Sequence, residues 1–243
     1  MHLKLVLEYD GGRYAGWQFQ PGQPTVEGEL RRALGELPLE LGTLVAAGRT
    51  DAGTHAEGQV VSLSVEGGIP AERLTGALNA HLPPDVAVLE CSEAPESFHA
   101  RYSARSRRYR YRYLDRPARP ALWRGRCWHL PAGLDAAAMD GAAARLVGRH
   151  DWTTYCTAQP ERDVVRALIS ARVERRPPFV ELEVVGEGFL RGMVRGIAAA
   201  LAEVGQGRRQ AGWPLEILEA RDRALAAQTA PAAGLTLVEV TYG

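Results

Sequence analysis

Chemistry is concentrated in one short stretch, Gly48-Arg49-Thr50-Asp51-Ala52-Gly53-Thr54-His55-Ala56. An arginine two places from an aspartate in a tight loop can hold the carboxylate ionised by charge and by hydrogen bonding. An ionised, partly desolvated carboxylate is a competent nucleophile. The same residue types also build an ordinary polar turn, with Asp51 bonded to its own backbone and Gly53 supplying a positive φ. Purely structural ion pairs perturb carboxylates as well, so residue types alone leave both readings open.

The second stretch is Arg108-Tyr109-Arg110-Tyr111-Arg112-Tyr113, which alternates without a break. On a strand this places three tyrosines on one face and three arginines on the other. Guanidinium forks such as those of Arg110 and Arg112 suit phosphate oxygens. A tyrosine at the strand end can stack on an unpaired base, worth roughly 1–3 kcal/mol. Tyrosines in a core with arginines in solvent give the same pattern, and both uses can share one strand.

Other motifs fail on inspection. Gly186-Glu187-Gly188-Phe189-Leu190-Arg191-Gly192 follows an expected strand and opens a helix, like a dinucleotide fingerprint. Its third glycine is one place late, and no second βαβ unit follows to carry a ribose-binding acid. There is no Walker A sequence and no GxSxG elbow. The six histidines never stand at ligand spacing with one another or with cysteine, which speaks against a metal site. Cys91, Cys127 and Cys156 are odd in number and widely spaced, as expected of reduced thiols in a cytoplasmic protein.

The elements that must carry these residues follow a repeated order. Leu3 to Tyr9 reads as a strand, and Thr25 caps a helix whose apolar face is Val26, Leu30, Ala33, Leu34 and Leu37. Strands are expected at 44–50 and 58–65, a helix after Pro70 and a strand from Val86 to Leu89. The order β-α-β-β-α-β is ferredoxin-like. A second round starts with the strand Arg108–Leu114 and a helix capped by Asp135 and ended by Gly148. Strands at 166–175 and 179–185 follow, then a helix bearing Leu190, Met193, Ile197, Leu201 and Val204. A helix from Pro214 to Ala227 and a strand from Leu235 to Val240 close the chain. The expected fold is α/β (α+β). It has a mixed, mainly antiparallel central sheet made of two ferredoxin-like halves, 1–104 and 105–243, with helices packed on it and an active cleft between the halves.

Composition sets outer bounds. The chain has 243 residues, 46% hydrophobic and 24% charged, ordinary for a soluble globular protein. No apolar run approaches the roughly 18–20 residues of a membrane span, and Met1-His2-Leu3-Lys4 does not open a signal peptide. Formal net charge is zero, yet seven arginines against one aspartate lie between Arg101 and Arg116. A local cationic stripe on a neutral protein can still bind phosphate, because screening removes distant charges.

Taken in order, these residues resemble the tRNA pseudouridine synthase A (TruA) family almost from end to end. The likeness rests on Tyr9-Asp10-Gly11 with Tyr14, on Gly16-Trp17-Gln18 and Gln20, on Thr25-Val26-Glu27, and on Gly48 to Ala56 with Gly58-Gln59-Val60. It continues through Leu78-Asn79-Ala80, Leu82-Pro83, Phe98-His99-Ala100-Arg101, Ser103-Ala104 and Arg108-Tyr109-Arg110-Tyr111. Phe189-Leu190, Met193-Val194-Arg195, Val204-Gly205, Thr229-Ala230-Pro231 and Gly234-Leu235 complete it. Departures are Thr54 for a usual valine, Glu187 and Gly196 for usual asparagines, and Ala199 for a usual glycine.

The resemblance implies an isomerase that turns uridine into pseudouridine in the tRNA anticodon stem-loop, at tRNA positions 38, 39 and 40. It implies no metal, nucleotide or other cofactor, a homodimer, and a cytoplasmic location. By the same likeness Asp51 is the catalytic carboxylate, Tyr109 contacts the target base, and Arg49 and Arg195 stand near the aspartate. Helical geometry pairs Arg195 with Arg191 opposite the Met193–Ile197 face. For Arg195 to reach Asp51, that helix must be buried on both sides. A non-catalytic RNA-binding module of the same topology is the rival expectation, since ferredoxin-like sheets also stack bases. A nicotinamide-binding enzyme, resting on the near-miss glycine motif, is the third.

Overall fold

The computed structural model describes residues 1–157 and 163–243. The chain divides into two compact units, one of residues 1–105 with 237–243 and one of residues 106–236.

The first unit contains β1 (His2–Tyr9), α1 (Val26–Gly35), β2 (Leu39–Ala46), β3 (His55–Gly67), α2 (Ala71–His81) and β4 (Val86–Glu93). Strand β1 buries Leu3, Leu5, Leu7 and Tyr9, the period of two that a half-covered sheet requires. It pairs antiparallel with β3 and with β4, and β2 pairs antiparallel with β3. The resulting order, β4-β1-β3-β2, is ferredoxin-like. Strand β3 lies in the middle and is buried along most of its length. Thr25 caps α1 by accepting Gly28 N–H at 3.2 Å, and Val26, Leu30, Ala33 and Leu34 go inward. Asn79 clamps α2 to β4, its amide donating to Val88 O and accepting Val88 N–H, both at 2.8 Å.

Strand β2 lies earlier than expected and ends at Ala46. Ala47 N–H makes a last bond to Val60 O on β3 at 2.8 Å, and residues 48–50 then leave the ladder because their backbone finds other partners. Gln59 Nε2 donates to Gly48 O at 2.8 Å, and Trp17 N–H donates to Thr50 O at 3.1 Å. A satisfied loop carbonyl has no need of a neighbouring strand.

The second unit begins with β5 (Ala104–Leu114), whose first two residues fall in the first unit. Then come β6 (Trp128–His129), α3 (Ala136–Ala144), β7 (Gly148–Asp151), β8 (Val165–Arg176), β9 (Phe179–Gly186), α4 (Met193–Gly205) and α5 (Trp213–Ala220). Strands β5, β9, β8 and β7 pair antiparallel in that order, and the two-residue β6 lies parallel to β5. Asp135 caps α3 by accepting Ala138 N–H at 2.9 Å. That helix stops at Ala144, before Gly148, whose φ of +134° opens β7 instead. Helix α5 is also shorter than expected, ending where Arg221 turns left-handed at φ +53°. The last strand, β10 (Leu235–Tyr242), lies beside β3, and its residues from Leu237 onward belong to the first unit. No helix among the described residues is long and apolar enough to cross a membrane.

Helix α4 is buried on nearly every side, from Met193 and Val194 through Ile197 to Leu201. It starts later than the apolar periodicity suggests. Gly192 takes φ +77°, which breaks the helix before it, so Arg191 lies outside α4 and does not share a helical face with Arg195.

Candidate active site

The loop from Ala47 to Thr54 is held from three directions. Tyr9, at the end of β1, places its hydroxyl 2.8 Å from Thr50 Oγ1. Gln59 on β3, fully buried, reaches the same Tyr9 hydroxyl at 3.4 Å as well as Gly48 O. Gly53 N–H donates to Tyr14 O at 3.2 Å. The residues on either side of Asp51 are therefore anchored while Asp51 itself keeps partial exposure and Arg49 stands exposed.

Asp51 begins a tight turn. Thr54 N–H donates to Asp51 O at 3.0 Å, and Gly53 adopts φ +77°. A bond from residue i+3 back to residue i, with positive φ at i+2, is the signature of a type II turn. The polar-turn expectation thus describes the backbone here, and the aspartate stands at its first position. Thr54 is buried and its hydroxyl has no hydrogen-bond partner, so it packs as the usual valine would.

Two glycines let the 10–17 segment lie against this turn. A Cβ on Gly11 would collide with the Thr54 carbonyl. A Cβ on Gly16, whose φ is +105°, would sit 2.7 Å from Thr50 O. His55 is buried below, its Nδ1 accepting Gly11 N–H at 3.1 Å and lying 3.0 Å from Asp10 Oδ1. Tyr14 donates to Asp85 at 2.7 Å, and burial together with that carboxylate pushes its phenol well above the usual range. It remains a protonated donor.

The second unit holds Tyr109, Arg110, Arg112 and Arg195. Tyr109, Tyr111 and Tyr113 are all buried, as the alternation on β5 requires. Tyr109 meets Phe189 edge-on, with ring centroids 5.1 Å apart. Tyr111 donates to Pro231 O and Tyr113 to Ala198 O, each at 2.8 Å. Burial raises both phenols strongly, which keeps them donors. Arg195 Nε donates to Ala230 O at 2.7 Å, while Ala230 N–H returns a bond to Arg195 O at 3.2 Å. Residues 229–231 are thereby tied both to α4 and to β5. Nothing local to Thr229-Ala230-Pro231 marks this role in the sequence, because its partners lie 35 and 120 residues away.

The departures on this side find places. Glu187 accepts Ala167 N–H at 3.0 Å and pairs with Arg149 at 3.0 Å. Gly196 is required where it stands, since a Cβ there would lie 2.8 Å from Tyr155 O.

The arginine face of β5 is matched by acids on β9. Register sets Arg110 opposite Glu183 and Arg112 opposite Glu181. Arg112 Nε is 2.7 Å from Glu181, and Arg110 and Arg176 each approach that carboxylate to 3.8 Å. Arg112 also covers the Phe179 ring at 5.1 Å. Opposite charges on facing strand positions stabilise the sheet by about 0.2–1 kcal/mol per pair. Part of the cationic stripe is therefore neutralised within the protein.

A ferredoxin-like unit presenting a clamped Arg-Thr-Asp turn, joined to a unit with a buried tyrosine strand, has the build of a pseudouridine synthase. Comparison with known proteins gives the family directly. The family model described as "tRNA pseudouridine synthase" matches residues 5–103 and 142–243. A protein of Moorella thermoacetica named tRNA pseudouridine synthase A is 46% identical over 99% of both chains. Namesakes from Bacillus pumilus, 42% identical over 100% of this chain and 99% of its own, and Acetivibrio thermocellus, 41% over 99% of each, are similar. The chain belongs to the tRNA pseudouridine synthase family. It is an isomerase that converts uridine to pseudouridine in tRNA.

Proposed function

We propose that Asp51 is the catalytic carboxylate of this isomerisation and that the uridines it acts on lie in the anticodon stem-loop. The reaction releases uracil from its N–C bond, turns it and rejoins it to the sugar through carbon. No co-substrate enters the balance. A base inside a helix must first be flipped out, which costs a few kcal/mol. Tyr109 contacts the extruded base, and Arg49 and Arg195 supply positive charge to the reaction. The supporting observation is the clamp on the Asp51 turn. A loop pinned through Gly48 O, the Thr50 side chain and carbonyl, and Gly53 N–H fixes Asp51 between its anchors while leaving it partly exposed. Such fixing is what makes a reacting group effective, because reorganisation is already complete when substrate arrives. The working form is a cytoplasmic homodimer whose two subunits both face tRNA. The test is to incubate purified protein with unmodified tRNA transcript and map pseudouridine chemically. Product confined to the 3′ side of the anticodon arm supports the reading, and product elsewhere overturns the stem-loop assignment.

Arg110 and Arg112 belong to the proposal as phosphate contacts, made by the guanidinium edges not turned towards Glu181. Replacing either by alanine should weaken tRNA binding and reduce the slope of log affinity against log salt by about 1. Titrations at several salt concentrations read this directly. An unchanged slope would leave both arginines as members of the intramolecular ladder only.

A further inference from the structure

The turn between β4 and β5 holds an aromatic side chain still in open solvent. Tyr102 is 77% exposed, yet its ring stacks on His99 with centroids 4.4 Å apart and planes 28° off parallel. The His99 ring is itself fixed, since its Nδ1 accepts the N–H groups of Arg101 and Tyr102 at 3.2 and 3.1 Å. Ser103 closes the turn, its Oγ accepting His99 N–H at 3.0 Å and its N–H donating to His99 O at 2.9 Å. Ala100, fully buried, fastens this knuckle to the sheet. Its N–H donates to Ser62 Oγ at 3.1 Å, and its carbonyl accepts the Tyr242 hydroxyl at 2.8 Å. Ordering a side chain costs conformational entropy, and burial does not compensate a ring that stays mostly in water. The Arg101 guanidinium lies 5.5 Å from the Tyr102 ring centroid and opens the segment of seven arginines that runs to Arg116.

We propose that Tyr102, backed by His99 and flanked by Arg101, is a stacking contact for an unpaired base of the tRNA, separate from the Asp51 turn. Every base offers a π-face, and a rigid ring beside a guanidinium suits a base and its neighbouring phosphate together. The arginine-rich setting favours a polyanion over a second copy of this chain, whose own knuckle would bring like charge to a symmetric contact. The inference rests on the tRNA substrate and is independent of the role of Asp51.

Affinity for unmodified tRNA transcript should fall about 5- to 150-fold in Tyr102→Ala. Tyr102→Phe and Tyr102→Trp should bind as wild type does, because stacking needs the ring and not the hydroxyl. The melting temperature should stay that of wild type, since the side chain is exposed. A blunt RNA duplex of similar length, with its bases already stacked, should bind wild type and Tyr102→Ala equally. Equal affinity of Tyr102→Ala and wild type for the transcript overturns the proposal. So does an equal loss on transcript and duplex, or a Tyr102→Phe defect as large as that of Tyr102→Ala. A change in self-association with unchanged tRNA affinity would assign the knuckle to a second copy, and also overturns it. Failure of wild type to bind transcript would instead overturn the stem-loop reading itself.

Discussion

Asp51→Asn should reduce pseudouridine formation by about 10⁴-fold or more, the scale seen when a residue essential to bond making is removed, while tRNA affinity stays within a few-fold. The amide has the shape of the carboxylate and lacks its charge, so the substitution removes chemistry without removing volume. The turn survives it, because Thr54 N–H bonds to the main-chain oxygen of residue 51, which asparagine retains. The clamp survives as well. Tyr9, Gln59, Trp17 and Tyr14 hold Gly48, Thr50 and Gly53, and none of those bonds uses the Asp51 side chain. Binding is dominated by phosphate contacts, and taking one negative charge from the surface does not weaken them. The measurement is single-turnover product formation on transcript with enzyme in excess, set beside a binding isotherm for the same variant. Turnover at the wild-type rate would remove Asp51 from the chemistry. Loss of binding in step with turnover would make it a contact residue. Either result would return the non-catalytic RNA-binding reading for this loop.

The parts of this arrangement that were legible from sequence are those whose cause is local. The period of two in Leu3, Leu5, Leu7 and Tyr9 marks β1, and the side-chain caps Thr25 and Asp135 mark where α1 and α3 begin. The Arg-Tyr alternation on β5 says that its two faces differ. What the arginine face meets was not legible, because Glu181 and Glu183 become its neighbours only through the β5–β9 register. The Asp51 turn shows the same division. Gly53 and its positive φ follow from residue type, whereas the Tyr9 hydroxyl lies 41 residues from Thr50 and 50 from Gln59. Short strands give too few residues for a period to show, which hid β6 and β7. Helix α4 kept its apolar period through Leu190, but Gly192 stops the helix short of it, and backbone conformation outranks side-chain pattern there.

Two glycines in the stretches that resemble the family should behave oppositely on replacement, and the difference tests the clamp. Gly16→Ala should destabilise the protein by roughly 2–5 kcal/mol, from a left-handed backbone that alanine resists together with overpacking. The new Cβ would lie 2.7 Å from Thr50 O and 3.2 Å from Ala52 N, backbone atoms that cannot rotate aside as a side chain does. Relief requires the 14–17 segment and the 50–53 turn to separate. That strains the Trp17 N–H bond to Thr50 O and the Gly53 N–H bond to Tyr14 O together. Turnover should therefore fall further than unfolding explains, even at temperatures where the variant is folded. Gly48→Ala is the matched control. Beyond its chain neighbours nothing lies within 4 Å of its added Cβ, and its φ is not among the positive values, so stability should change by no more than about 0.5 kcal/mol. Urea unfolding midpoints for both variants, with turnover measured below the transition, separate the cases. Wild-type stability and activity in Gly16→Ala would mean that the 10–17 segment does not brace the Asp51 turn, and the proposed origin of its rigidity would have to be abandoned.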